Sequence, residues 1–159
     1  MKIKLKPLQP QDIEPVLTLL EAFHLEMGFE ARGHSFDAKS VCLNLVQLSR
    51  APRAWLRVAW MGAQRVGVGA LMLVPSLTDG RNLQAVELTW HSDPKLAPAL
   101  RCRIMRAIYD GMETWARSVR AFTMHFSITP EADGVQRFLV RRGFSLRENL
   151  FNKRLNYGT

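Results

Sequence analysis

Residues 87–116 combine side chains and spacing that could bind a small anion. A strand-like run leads into a short turn, residues 92–100, and a long helical pattern follows the turn. Free backbone N–H groups and the helix dipole favour an anion at the start of a helix. Lys95, Arg101 and Arg103 add positive charge at the same place. This stretch is therefore the first candidate for a binding site.

Two interpretations of the turn remain open on the residues alone. It has no glycine, the residue that lets a backbone approach a phosphate closely, and it has prolines at positions 94 and 98. Pro98 suits the first turn of a helix but removes one N–H donor. The turn is either an anion site in which basic side chains replace backbone donors, or an ordinary strand-to-helix connection with solvated basic residues.

Cysteine and histidine show no spacing typical of a disulfide framework or a metal centre, and we predict no metal ion. Cys42 and Cys102 are far apart, and the apolar neighbours of Cys42 predict a buried thiol. Metal-ligand spacing is also absent among the four histidines, which are His24, His34, His91 and His125.

Length and composition predict a single globular domain over residues 1–159, because 47% of the residues are hydrophobic and 23% are charged. No apolar run approaches the roughly 18 residues that a membrane span needs. The first eight residues alternate basic and apolar types, unlike a signal peptide. We expect a cytoplasmic protein with no membrane partner. For a phage-encoded protein, which is also made in the cytosol, the virion is the alternative location.

The net charge of +8 is distributed unevenly along the chain. Residues 1–94 hold ten Lys/Arg and nine Asp/Glu, whereas residues 95–159 hold twelve and five. The basic second half predicts contact with an anionic cofactor, a nucleic acid or an acidic protein surface. A solvated basic surface that aids solubility is the alternative.

Hydrophobic periodicity predicts ten strands and helices. Strands are predicted at 2–8, 54–60, 65–74, 83–90, 121–128 and 146–155, and helices at 12–27, 38–49, 97–119 and 133–142. Asp12 is expected at the positive end of the first helix, Asp37 as the cap of the second, and Gly28 and Gly143 as helix stops. The fold class is α/β (α+β): a mixed, mostly antiparallel six-stranded sheet with helices on both faces.

The order β-α-α-β-β-β-α-β-α-β, with a long helix after the fourth strand, resembles the GNAT N-acetyltransferase superfamily. The segment "GVQRFLVRRGFSLRENLFNKRL", residues 134–155, is similar to the closing helix and strand of that family. Phe138, Gly143 and Phe144 stand at the matching places. "LQPQDIEPVLTLLEAF" is similar to the opening of the family.

The resemblance implies that acetyl-CoA binds where the fourth and fifth strands splay apart, with its pyrophosphate on a glycine-rich turn before the long helix. Lys95 falls where the family has a basic residue, but the glycine places are filled by Leu96, Pro98 and Leu100. The two leucines are expected to add bulk where the phosphate approaches. The implied cofactor-binding residues are Trp90, Lys95, Leu96, Ala97, Pro98, Ala99, Leu100 and Arg101.

The resemblance also implies a general base, because an amine must be uncharged to accept an acetyl group. Glu87 falls where the family often has a glutamate, and His91 and His125 are further candidates because histidine titrates near neutrality. The usual tyrosine acid of the family is replaced by Leu139, and its usual asparagine falls near Ala132. The structural alternatives are an outward-facing strand carboxylate for Glu87 and a core histidine for His125.

Two functions from different classes follow from this reading. One is a GNAT-like N-acetyltransferase that moves acetyl from acetyl-CoA to an unknown amine through an atypical cofactor turn. The other is a catalytically inactive GNAT-fold structural or interaction protein, such as a bacteriophage virion or assembly component, whose basic half contacts an acidic protein or a nucleic acid. A nucleic-acid binder without the GNAT chemistry rests on charge alone and ranks last.

Overall fold

The computed structural model describes residues 2–76, 79–128 and 133–145, and its centre is a five-stranded sheet. The strands are β1 (Ile3–Pro7), β2 (Ala54–Met61), β3 (Gln64–Pro75), β4 (Leu83–Ser92) and β5 (Thr123–His125). They lie side by side in chain order, with antiparallel pairing from β1 to β4 and parallel pairing between β4 and β5. This arrangement confirms the predicted mixed sheet. The sixth predicted strand, residues 146–155, lies outside the described residues.

The helices begin and end within one residue of the predicted bounds. They are α1 (Ile13–Glu26), α2 (Ala38–Arg50), α3 (Pro98–Ser118) and α4 (Asp133–Arg141), with short 3-10 turns at Pro10–Asp12 and Glu30–Arg32. Gly28 ends α1 in the left-handed region, at φ +63°, as only a residue without a side chain does readily. Asp37 caps α2 by accepting hydrogen bonds from the N–H groups of Lys39 and Ser40 at 3.0 and 3.3 Å.

Apolar side chains on both faces of the sheet form two core layers. On one face, the stripe of α3 packs on the sheet through Ile104, Ile108 and Met112, which are fully buried. On the other face, α1 and α2 cover β2 and β3, with Val16 and Leu45 buried between them. Helices therefore cover both faces, as the alternating pattern predicts. Cys42 is half-buried, less than the predicted buried thiol, and Cys102 lies exposed on α3.

Asp12 lies at the N-cap of α1, as predicted, and its side chain also makes contacts that the local pattern did not indicate. Its side chain is 1% exposed and accepts hydrogen bonds from the Gln9 N–H at 3.0 Å and from Arg65 Nε at 3.0 Å. Arg65 in turn stacks on Trp60, with 3.9 Å between the guanidinium carbon and the ring centroid. Asp12 is therefore a buried carboxylate that pairs with the partly exposed Arg65, in addition to its favourable place on the helix dipole.

Contacts within the chain group it into two compact units, Met1–Phe126 and Ser127–Thr159. The second unit contains α4, which Gly143 ends at φ +89° while the Phe144 N–H donates to the Leu139 carbonyl at 3.1 Å. The single domain stays a prediction. In the described part of the chain, no helix is both long enough and apolar enough to cross a membrane.

Candidate functional site

Strand β4 continues well beyond its pairing with β5. The parallel pairs run only from Gln84 opposite Thr123 to Val86 opposite His125, whereas β4 stays paired with β3 as far as Ser92. Among the described residues, no strand pairs with the β5 side of β4 from 87 to 92. We call this segment the bare edge of β4. A strand edge that has no neighbouring strand can present the N–H and C=O groups of alternate residues to a strand-like partner.

A bulge in β4 lies at the point where the bare edge begins. Thr89 is opposite Ala70 and Glu87 is opposite Leu71, so Leu88 is an extra residue with no counterpart on β3. A bulge of this kind bends its strand and increases the local twist. The Leu88 side chain is 46% exposed, although its type favours burial. The bulge therefore coincides with the end of the pairing between β4 and β5 and exposes an apolar side chain there.

The turn after β4 brings the N-terminus of α3 close to the bare edge. The Asp93 N–H donates to the Val66 carbonyl at 3.0 Å, and the Asp93 carboxylate accepts from the Lys95 N–H at 2.9 Å. Ala97 is the N-cap residue of α3, and its side chain makes no capping hydrogen bond. These contacts fix the turn without using the first donors of the helix.

The first turn of α3 keeps two backbone donors that are not used within the described residues. The N–H groups of Leu100 and Arg101 donate to the Ala97 carbonyl at 2.9 and 3.0 Å, and Pro98 has no N–H. The N–H groups of Ala97 and Ala99 have no acceptor in the part of the chain that the structure describes. The first turn contains no acidic residue, so the positive end of the helix dipole is not neutralised locally.

The two leucines of the turn pack towards the core and are partly buried. Leu96 and Leu100 pack against the core layer beneath α3, whereas Ala97, Pro98 and Ala99 are exposed. The outer surface of the turn is therefore made of small side chains, and the exposed Lys95 adds a cation. An anion could reach the two free donors, which makes the donor set of the turn suitable for a phosphate group although smaller than a glycine-rich turn offers.

His91 is buried at the end of the bare edge. Its ring stacks on Phe23 of α1, with 4.3 Å between centroids and 2° between planes, and Nδ1 lies 3.0 Å from the Thr89 hydroxyl. Nε2 is buried with no partner among the described residues. Burial, and next the positive charge of Arg101, lower the pKa of His91 from 6.5 to about 3. His91 is therefore neutral at physiological pH and a poor proton acceptor there.

The three predicted bases lie on two faces of the sheet. Antiparallel partners share a face, so Glu87 lies with Leu71 on the α3 side and His91 lies with Val68 on the α1 side. His125 is exposed on β5, where its Nε2 lies 3.0 Å from the Thr123 hydroxyl, so it is not a core histidine. Glu87 is half-buried at the beginning of the bare edge. The fold does not bring Glu87 and His91 together.

Trp90, a predicted cofactor-binding residue, fastens β4 to α3. Its indole N–H donates to the Met105 carbonyl at 2.8 Å. Its ring lies 6.0 Å from that of Tyr109 and 5.2 Å from that of Phe126, as measured between centroids. Tyr109 is 1% exposed and belongs to this aromatic cluster. The Trp90 side chain therefore holds β4 against α3 and stabilises the strand on which the candidate site lies.

Sequence reasoning missed two residues that shape the site, Phe23 and Glu26. Both lie in the last turns of α1, and Glu26 makes a two-pronged ion pair with Arg101 at 2.7 and 2.8 Å. The two partners are 75 positions apart, so no local pattern connects them. Arg101, predicted as a cofactor ligand, is thus held by a carboxylate of the same chain.

Comparison with known proteins gives matches only among solved structures. No model of a known protein family matches the sequence, and no curated protein matches it either. A transcriptional regulator from Bacillus halodurans C-125 has a TM-score of 0.76 at 14% identity, over 97% of this chain and 100% of that one. An acetyltransferase from Trypanosoma brucei has a TM-score of 0.69 at 17% identity, over the same shares of the two chains.

A third match is AAC(6')-Iy in complex with the bisubstrate analogue CoA-S-monomethyl-acetylneamine. Its TM-score is 0.69 at 13% identity, over 99% of this chain and 100% of that one. The matched acetyltransferases have the architecture of the GNAT superfamily. The chain has the GNAT fold. The resemblance found in the sequence is confirmed at the level of the fold, and the GNAT fold accounts for the long β4 and for the helix that starts beside it.

Proposed function

We propose that the protein is an N-acetyltransferase that moves an acetyl group from acetyl-CoA to an amine. The observation that carries this proposal is the bare edge of β4, which runs beside the uncapped N-terminus of α3. An elongated ligand that has amide groups and ends in a phosphate has the chemistry to use both features. The solved acetyltransferases of the same fold support this choice, and one of them is described with a CoA analogue.

The residues present suit acetyl-CoA. The N–H groups of Ala97 and Ala99, together with Lys95, would hold the pyrophosphate, and the N–H and C=O groups of the bare edge would pair with amide groups of the ligand. When bound, acetyl-CoA would supply an activated thioester carbonyl. The turn has Leu96, Pro98 and Leu100 where the family has glycines. Pro98 removes one backbone N–H donor, but the small side chains on the outer surface of the turn leave that surface open.

Glu87 is the best general base among the three predicted residues. It lies where the bare edge begins, and a carboxylate there can take a proton from an ammonium group through water. His91 is less suitable because its lowered pKa, about 3, makes its ring a weak base at neutral pH. A backbone N–H group on the edge of β4 would stabilise negative charge on an acetyl oxygen.

Titration of the full chain with acetyl-CoA, by calorimetry and by thermal unfolding, tests the proposal. A ligand at a hundred times its Kd should raise the free energy of unfolding by about 2.7 kcal/mol. Release of free thiol in the presence of a panel of amines then reports transfer. Binding without any transfer, or no binding at all, would support the inactive GNAT-fold alternative.

None of the three compared structures is described as a virion protein.

A matched pair of variants locates the pyrophosphate. Ala97→Pro removes one free N–H, and the φ of −56° at this residue suits proline. Loss of one charge-assisted hydrogen bond should weaken acetyl-CoA binding about tenfold or more. Ala97→Gly keeps the N–H and should bind like the original chain. Equal affinities in the two variants would place the phosphate elsewhere.

A further inference from the structure

The C-terminal end of α1, the first turn of α3 and the end of β4 meet in one side-chain cluster. Glu26 on α1 accepts from both terminal nitrogens of Arg101 on α3, at 2.7 and 2.8 Å. Three positions before Glu26, on the same side of α1, Phe23 stacks on His91 of β4. We call these four residues the α1–α3 clamp.

The geometry of Arg101 leaves it little capacity for a second anion. Its two terminal nitrogens face the two oxygens of Glu26, which is the two-pronged arrangement that favours arginine–carboxylate pairs. The carboxylate also cancels most of the charge of the guanidinium for any other partner. The side chains of Arg101 and Glu26 are 30% and 35% exposed, so the pair is partly shielded from water. A phosphate that bound Arg101 would first have to displace Glu26.

The position of the clamp relates it to the proposed site. Arg101 lies in the same helical turn as Ala99, whose N–H has no acceptor among the described residues, and His91 belongs to the bare edge of β4. The segment after Glu26 therefore leaves α1 directly beside the candidate anion site. A movement of that segment would act on the first turn of α3 through the Glu26–Arg101 pair.

We propose that Glu26 and Arg101 fasten the end of α1 to the first turn of α3, and that Arg101 is a positioning residue instead of a ligand for the phosphate. The clamp itself is independent of catalysis, whereas its effect on acetyl-CoA rests on the proposed function. Two measurements test the clamp and its effect on acetyl-CoA binding separately. One uses the protein without ligand, and the other uses acetyl-CoA.

Hydrogen exchange of the backbone amides at 23–29 tests the clamp without any ligand. Glu26→Gln and Arg101→Gln should each speed exchange about twofold to fivefold, as expected for a partly exposed ion pair. The double variant should be no faster than either single one, and the charge swap Glu26→Arg with Arg101→Glu should restore protection. Glu113→Gln, which breaks an exposed pair within α3, is the control and should leave these amides unchanged. Additive effects, or no rescue by the swap, would overturn the clamp.

Calorimetry with acetyl-CoA tests the role of Arg101. The charge swap should bind acetyl-CoA within about twofold of the original chain, because the pair is restored and no phosphate contact is lost. If Arg101 contacts the phosphate, the glutamate placed there should weaken binding about tenfold or more, which would overturn the positioning role. If the original chain binds no acetyl-CoA, the proposed function fails, and the exchange measurement still decides whether the clamp exists.

Discussion

Helix α1 carries an arginine–carboxylate pair at each end, and the two carboxylates differ sharply in burial, whereas the two arginines are 24% and 30% exposed. At its start, Asp12 is 1% exposed and bridges Arg65 and the Gln9 N–H. At its end, the Glu26 side chain is 35% exposed and its carboxylate pairs with Arg101. The first pair lies against the core layer under α1, and the second lies at the rim of the bare edge of β4.

The difference follows from desolvation. A buried carboxylate has lost its water, so its partners must replace the hydration completely, and removing one partner leaves an uncompensated charge. Lys6 and Arg65 also stack on Trp60, at 4.2 and 3.9 Å from its ring centroid, which surrounds this pair with further contacts. A half-exposed pair such as Glu26–Arg101 keeps part of its water, so it can break at little cost. The Asp12 end of α1 is therefore expected to stay fixed to the core, whereas the Glu26 end can move at a lower cost in free energy.

The largest expected effect comes from Asp12→Asn. The substitution keeps the shape but removes the charge opposite Arg65, and we expect a loss of about 3 kcal/mol in the free energy of unfolding. Urea denaturation at constant pH measures it. A loss below about 1 kcal/mol would mean that the buried pair is no more important than an exposed one, and the contrast between the two ends would disappear.

A smaller change in the free energy of unfolding is expected on acidification, because the buried His91 lies beside the Glu26–Arg101 pair. Its pKa falls from 6.5 in the unfolded chain to about 3 in the folded one, so below pH 6.5 the unfolded chain binds a proton that the folded chain does not. This group should therefore lower the free energy of unfolding by about 2 kcal/mol between pH 7 and pH 5.

Two variants isolate that contribution from the other titrating groups. His91→Phe keeps a ring against Phe23 but cannot titrate, so its stability should fall less on acidification than that of the original chain. His125→Gln removes an exposed histidine and should keep the full dependence on pH. Parallel stability–pH curves for the original chain and His91→Phe would contradict the burial argument.

The smallest effect is expected from Glu26→Gln. Because the pair is partly exposed, its loss should cost less than about 1 kcal/mol of unfolding free energy, and added salt should reduce the difference further. Denaturation with and without 1 M sodium chloride measures both quantities. A cost similar to that of Asp12→Asn would show that the two pairs stabilise the fold equally.

Local patterns predicted the elements well and the site only in outline. The helix bounds agree to within one residue because caps, glycine stops and apolar spacing are encoded in neighbouring positions. The strand predicted at 121–128 is shorter, Thr123–His125, because pairing with β4 ends where β4 bends at the bulge. Apolar composition alone cannot show where a neighbouring strand turns away. The predicted site residues stay predictions until ligand binding is measured.

The sequence by itself determined the order of the described strands and helices and the two-sided core, and it predicted an anion site at the turn before α3. Periodicity and turn chemistry act over a few residues, so they can be read from the chain directly. Only the tertiary structure decided that Leu96 and Leu100 face the core, that His91 loses its water, and that Arg101 is held by Glu26. These facts depend on which side chains meet across distances of up to 75 residues, and packing alone determines that.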